Sequence, residues 1–95
     1  MKPWGAALFC LLAACATASP PDTELAAARS SILQAEQVAA RYAQPELRLA
    51  QEKLARAEQA AAQNRFDEAR RLAEQAQVDA RYAWALAEAE RSRSR

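Results

Sequence analysis

From Asp22 onward the apolar residues recur in alternating steps of three and four. Leu25, Ala28, Ile32, Ala35, Ala39 and Tyr42 share one stripe, because such steps return to the same face of a 3.6-residue helical turn. Pro45 interrupts the run; it lacks the amide hydrogen a helix interior needs but suits a first turn. The steps resume with Leu47, Ala50, Leu54, Ala57 and Ala61. They return in Phe66, Ala69, Ala73, Ala76, Ala80, Ala83 and Ala87, a stripe widened by Leu72, Leu86 and Trp84. Gln63-Asn64 separates the second and third runs, and asparagine accepts the left-handed turn that ends many helices. Asp22 or Thr23 stands where a first-helix cap belongs, with Glu24 near the positive end. The pattern predicts an all-α fold. It is a small antiparallel bundle of three helices, at about 22–43, 45–63 and 66–91, with alanine-rich coiled-coil-like packing.

Composition agrees with that reading. Glycine occurs once, at Gly5, and proline only at positions 3, 20, 21 and 45, so a chain rich in Ala, Arg, Gln, Glu and Leu has no turns for a sheet. At 95 residues it makes at most one small domain. Alanine stripes let backbones approach closely, but each methyl buries little apolar area. A lone monomer is therefore expected to be marginal, which points to a homo-oligomer or a partner helix.

The first fourteen residues follow a different rule. Lys2 is followed by a mostly apolar run from Trp4 to Ala14, too short for the roughly 20 residues of a membrane span but fitting an export signal. Leu12-Ala13-Ala14-Cys15 resembles the bacterial lipobox, with an aliphatic and two small residues before a cysteine. The resemblance implies cleavage before Cys15, a diacylglyceryl group on its thiol and an acyl group on the new amine. More than one acyl chain makes a stable anchor. Phe9 before Cys10 is too bulky for the same role, so Cys10 is expected to leave with the signal and no disulfide forms. Ala16-Thr17-Ala18 offers a competing cut before Ser19 that would release a soluble protein. Ala16 stands where an aspartate often signals inner-membrane retention, so the expected address is the outer membrane, on its periplasmic face. Residues 1–14 thus read as a lipoprotein signal peptide and 15–21 as lipidated N-terminus and tether. Residues 22–91 read as the helical domain and 92–95 as a solvated basic tail. The Pro20-Pro21 tether would hold the domain up to ~20 Å from the bilayer.

Charge narrows the partners. From Cys15 onward twelve basic residues balance twelve acidic ones, which leaves no basic face for nucleic acid. Catalytic groups are scarce: there is no histidine, and serine occurs only at positions 19, 30, 31, 92 and 94. Ser30-Ser31 have only Arg29 and glutamates near them in sequence, which gives a nucleophile no base. Glu36, Glu52, Glu58 and Glu74 alternate with basic residues as surface pairs do. No spacing suggests a metal site, a cofactor beyond the covalent lipid, or a small-molecule substrate. Val78 and Tyr82 share a face with Ala85 and Ala89, away from the alanine stripe; it is either packed within the fold or a partner-binding patch.

Two sequence echoes add context. Gln37-Val38 and Ala40-Arg41-Tyr42-Ala43 return forty residues later as Gln77-Val78 and Ala80-Arg81-Tyr82-Ala83, through duplication or chance matching of alanine-rich helices. Asn64-Arg65-Phe66-Asp67-Glu68-Ala69, followed by Ala73 and Ala76, resembles one unit of a tetratricopeptide repeat, without an array. The lipobox, the proline tether, PELRLAQEKLARAEQA and NRFDEARRLAEQAQVDA together resemble bacterial lipoproteins carrying the domain of unknown function numbered 4398. That resemblance implies an envelope location and a helical bundle, and no activity. The expected role is a non-enzymatic structural or adaptor module, anchored by lipid and joined to a helical envelope partner or a second copy. One alternative is a peptidoglycan contact. Lipoproteins that make it covalently end in lysine where this chain has Arg95, which favours a non-covalent contact. The other is a soluble periplasmic binding or chaperone-like protein, if the chain is cut after Ala18.

Overall fold

The computed structural model describes residues 19–95, so Cys10, Leu12, Ala13, Ala14, Cys15 and the Ala16-Thr17-Ala18 motif lie outside the described residues. Three helices follow in order: α1 (Asp22–Tyr42), α2 (Gln44–Ala62) and α3 (Phe66–Arg93). Among the described residues there is no strand.

Cross-helix pairs set the directions. Arg29 reaches Glu58 and Gln51 reaches Glu36, so α1 rises as α2 falls. Leu47 and Ala50 share a cluster with Ala80, Ala83 and Ala87, while Ala57 joins Leu72, Ala73 and Ala76, so α2 and α3 are antiparallel too. α1 and α3 run parallel, with Glu24 beside Arg70 near their starts. Both α1 and α2 pack along α3 far more than on each other. The all-α bundle holds, with α3 as its central member.

The two links differ in kind. Ala43 alone joins α1 to α2: its N–H donates to the Ala39 carbonyl at 2.9 Å, and its carbonyl accepts from Leu47 N–H at 3.0 Å. Pro45, in the first turn of α2, has no N–H to continue the α1 ladder, so the helix breaks there. The second link is a Schellman turn. Arg65 N–H donates to the Ala60 carbonyl at 2.8 Å and Asn64 N–H to that of Ala61 at 3.0 Å. Asn64 has φ 62°, the left-handed turn expected of it.

Three expectations need correction. Neither Asp22 nor Thr23 caps α1; the N-cap is Pro21, with no side-chain cap, and its carbonyl accepts from Leu25 N–H at 2.9 Å. Pro21 is fully buried, which draws the chain into the helix one residue early. Asp22 and Glu24 then act on the helix dipole from inside the first turn. α3 ends at Arg93, two residues past the expected 91, and residues 92–95 are all exposed. Arg91 pairs with Glu88 and Arg93 with Glu90 at i,i+3, and the Ser94 hydroxyl donates to the Glu90 carbonyl at 3.0 Å. Trp84 does not widen the buried stripe; it is 41% exposed at the α1–α3 seam.

The core is made of methyl groups. Leu25, Ile32, Leu47 and Leu72 are its large members, and every other buried apolar residue among those described is alanine, apart from Pro21. The α3 stripe Ala69, Ala73, Ala76, Ala80, Ala83 and Ala87 is entirely shielded. Tyr42, Leu54 and Leu86 are half-buried at its margins. The alanine stripes are thus consumed inside one chain, which removes them as surfaces for a partner. The forty-residue echo repeats in space only in part: Ala43 and Ala83 are both buried, but Ala40 is exposed where Ala80 is buried, and Val38 packs on the core where Val78 does not.

Backbones this close leave no room for added volume. Ala80→Leu should destabilise the domain by ~1–3 kcal/mol through overpacking, read as a lower denaturation midpoint. Ala85→Leu, on the exposed side of the same helix, should stay within ~0.5 kcal/mol of the parent.

Candidate functional site

α3 presents its core stripe on one side and Val78, Tyr82, Ala85 and Ala89 on the other, because those positions repeat at three and four residues in a different phase. All four are exposed, Val78 at 61% and Tyr82 at 59%. Of the two readings of this face, packing within the fold is ruled out. The structure brings Val78 and Tyr82 together on one surface, as their spacing requires.

Below Val78 lies an open cleft of about 330 Å³ between α2 and α3, lined by Lys53, Arg71, Glu74, Gln75, Val78 and Asp79. Its floor carries the tightest ion pair across the α2–α3 seam, Lys53 Nζ to Asp79 Oδ2 at 2.7 Å, with both side chains about three-quarters buried. Asp79 Oδ2 is shielded from solvent and lacks a well-aligned hydrogen bond, so the Lys53 charge alone compensates it. Leu49, also exposed, lies one helical turn from Lys53 on α2. In an antiparallel pair with Lys53 facing Asp79, that turn falls level with Tyr82 and Leu86. The apolar surface of α3 therefore continues onto α2.

A second cleft, of about 350 Å³, opens on the α1–α3 seam between Ser31, Gln34, Arg81, Trp84 and Ala85. Spacing did not single it out, since Trp84 reads as core flank and Ser31 and Gln34 as solvated helix. One signal was available. Arg81 has Gln77, Val78, Trp84 and Ala85 at its i±3 and i±4 positions, so no carboxylate stands ready to pair with it on its own helix.

Among the described residues no group of three His, Cys, Asp or Glu could hold a metal ion, and no helix is long and apolar enough to cross a membrane. Serines 30 and 31 lie on α1, and among the described residues no side-chain hydrogen bond links either to a base.

A three-helix, alanine-cored bundle with this spacing can be compared with known proteins. The family model described as a domain of unknown function, DUF4398, matches residues 23–95, which takes in nearly all of α1 and the whole of α2 and α3. The chain belongs to the DUF4398 family. No curated protein and no solved structure matches it. The DUF4398 match begins at Thr23, one residue into α1, and so coincides with the bundle.

The Lys53–Asp79 pair makes a sharp prediction for this DUF4398 bundle. Lys53→Ala should cost about 1–3 kcal/mol in chemical denaturation, because it leaves the shielded Asp79 oxygen unpaired. The double variant Lys53→Ala, Asp79→Ala should recover part of that loss.

Proposed function

We propose that this chain is a lipid-anchored, non-enzymatic structural or adaptor module of the bacterial envelope, working by helix-to-helix association. The observation that carries the reading is the outward face of α3, where Val78 and Tyr82 stand mostly in solvent on a helix whose opposite side is fully used. An aromatic and a branched residue exposed one turn apart, bordered by Ala85 and Ala89, form a ridge-and-shelf surface that suits a partner helix. Leu49 extends it beyond a single helix. Membership of the DUF4398 family is compatible with this role and supplies no activity of its own.

The anchor rests on Leu12-Ala13-Ala14-Cys15 and its lipobox spacing. Pro21 and Arg70 support the placement. The buried proline fixes where the chain enters the bundle, and Arg70 Nη2 donates to the Ser19 carbonyl at 3.0 Å, so the tether leaves from the start of α3. A lipid on Cys15 would then hold that end toward the bilayer, on the periplasmic side of the outer membrane, with the far end of α3 projecting away.

Cys15→Ser tests the anchor. The variant should move from the membrane to the soluble fraction and lose the mass of the acyl groups; a variant that still fractionates with membrane defeats this part of the reading. Tyr82→Glu tests the docking face. Its denaturation midpoint should stay within the equivalent of ~0.5 kcal/mol, since the side chain is largely exposed, while crosslinking to neighbours in intact membranes falls. Unfolding of Tyr82→Glu, or undiminished crosslinking, counts against it.

A further inference from the structure

We infer that the cleft of Ser31, Gln34, Arg81, Trp84 and Ala85 is a saccharide-binding site, and that its ligand is a chain of N-acetylated amino sugars. Three observations converge on it. Trp84 is 41% exposed at a helix seam and lines a cleft of about 350 Å³. Arg81 makes no ion pair among the described residues, so its guanidinium stands at the cleft without a carboxylate partner. Gln34 and Ser31 make no side-chain hydrogen bond among the described residues, so their polar groups are available at the cleft.

The chemistry of the four side chains is complementary to a pyranose. One face of the ring carries axial C–H bonds, which are apolar and lie well on the electron-rich face of an indole. The opposite requirement is polar, because a sugar brings hydroxyls that must be satisfied at its edge. Gln34 offers both a donor and an acceptor, and Ser31 a hydroxyl that serves either way. Arg81 offers a fork of donors with no carboxylate competing for it, which fits the carbonyl of an acetamido group. The volume lies at the lower end of the roughly 300–1,000 Å³ of small-molecule sites, enough for a ring and its substituent. Because the cleft is open, a ring within a polymer can enter it sideways.

The natural source of such a polymer follows from the proposed envelope location, on which this inference rests for its biology: the glycan of the cell wall. Trp84 lies fourteen residues along α3 from Arg70, the residue tied to the tether, or ~21 Å farther from the anchor. The site then stands away from the bilayer, toward a wall layer.

The test uses the full chain in detergent micelles, with tryptophan emission followed as the trimer of N-acetylglucosamine is added. The glucose trimer, which lacks acetamido groups, is the control. A saturable change in the millimolar range is expected, at least about tenfold weaker for the glucose trimer, equivalent to ~1.4 kcal/mol. The change should weaken several-fold in Arg81→Gln, and sugar binding to Trp84→Ala, followed by saturation transfer to the acetamido methyl protons because the emission reporter is removed, should also weaken several-fold, with circular dichroism unchanged in both. No saturable change, an equal response to the glucose trimer, or undiminished saturation transfer in Trp84→Ala overturns the inference. Cys15→Ser should leave the titration unaltered, so a failure of the anchor and a failure of the site are separate outcomes.

Discussion

Close approach of helix backbones along α3 is the constraint on which the rest of the structure depends. Ala69, Ala73, Ala76, Ala80, Ala83 and Ala87 bring nothing larger than a methyl to either seam, and all are fully shielded. Methyl seams are smooth, and smooth seams specify register poorly. Register therefore has to come from elsewhere. Leu25 and Leu72 fill one end of the core and Ile32 and Leu47 the other, so the large side chains act as stops at two levels. The single-residue link at Ala43 and the Schellman turn at Asn64 fix how far each helix can slide. Exposed pairs such as Arg29–Glu58 add little energy but agree with the same alignment.

Helix number, order and buried face were legible because alanine at steps of three and four marks a face whatever its partner. Asn64 was legible for a local reason, as few residues accept positive φ. What escaped was tertiary. Pro21 became the N-cap because the bundle buries it, and no local cap rule reports that. Trp84 looked like core because a helical wheel gives direction but not how wide a neighbour covers; with a methyl core, coverage is narrow. The same narrowness leaves Leu33 and Leu49 exposed. The forty-residue echo matches in part: Ala43 and Ala83 are both buried, whereas Ala40 is exposed and Ala80 is buried, so identical letters do not all occupy identical faces.

A core this uniform leaves the chemistry at the surface. Among the described residues no polar or charged residue is buried, so every group able to recognise a partner lies on an outer face or a seam. α3 carries most of them, since it packs most extensively on both neighbours and borders both the Lys53–Asp79 and the Trp84 clefts. One continuous helix, from Phe66 to Arg93, therefore holds the fold, the apolar ridge and the Trp84 indole in a fixed relation.

That fixed relation separates the two surfaces. Tyr82 and Trp84 are two residues apart, which on a helix sets their directions ~160° apart by rotation. Tyr82 lies toward the α2 side of α3 and Trp84 on the α1 seam, so a partner helix on the ridge leaves the indole cleft largely open. Ala85 is the exception, as it belongs to the outward face and also lines the cleft. A small residue is what such a shared border requires, because a longer side chain there would block the indole while reaching for the partner. The alanine that permits close packing inside the bundle thus performs the matching task outside it, keeping two neighbouring surfaces from obstructing one another.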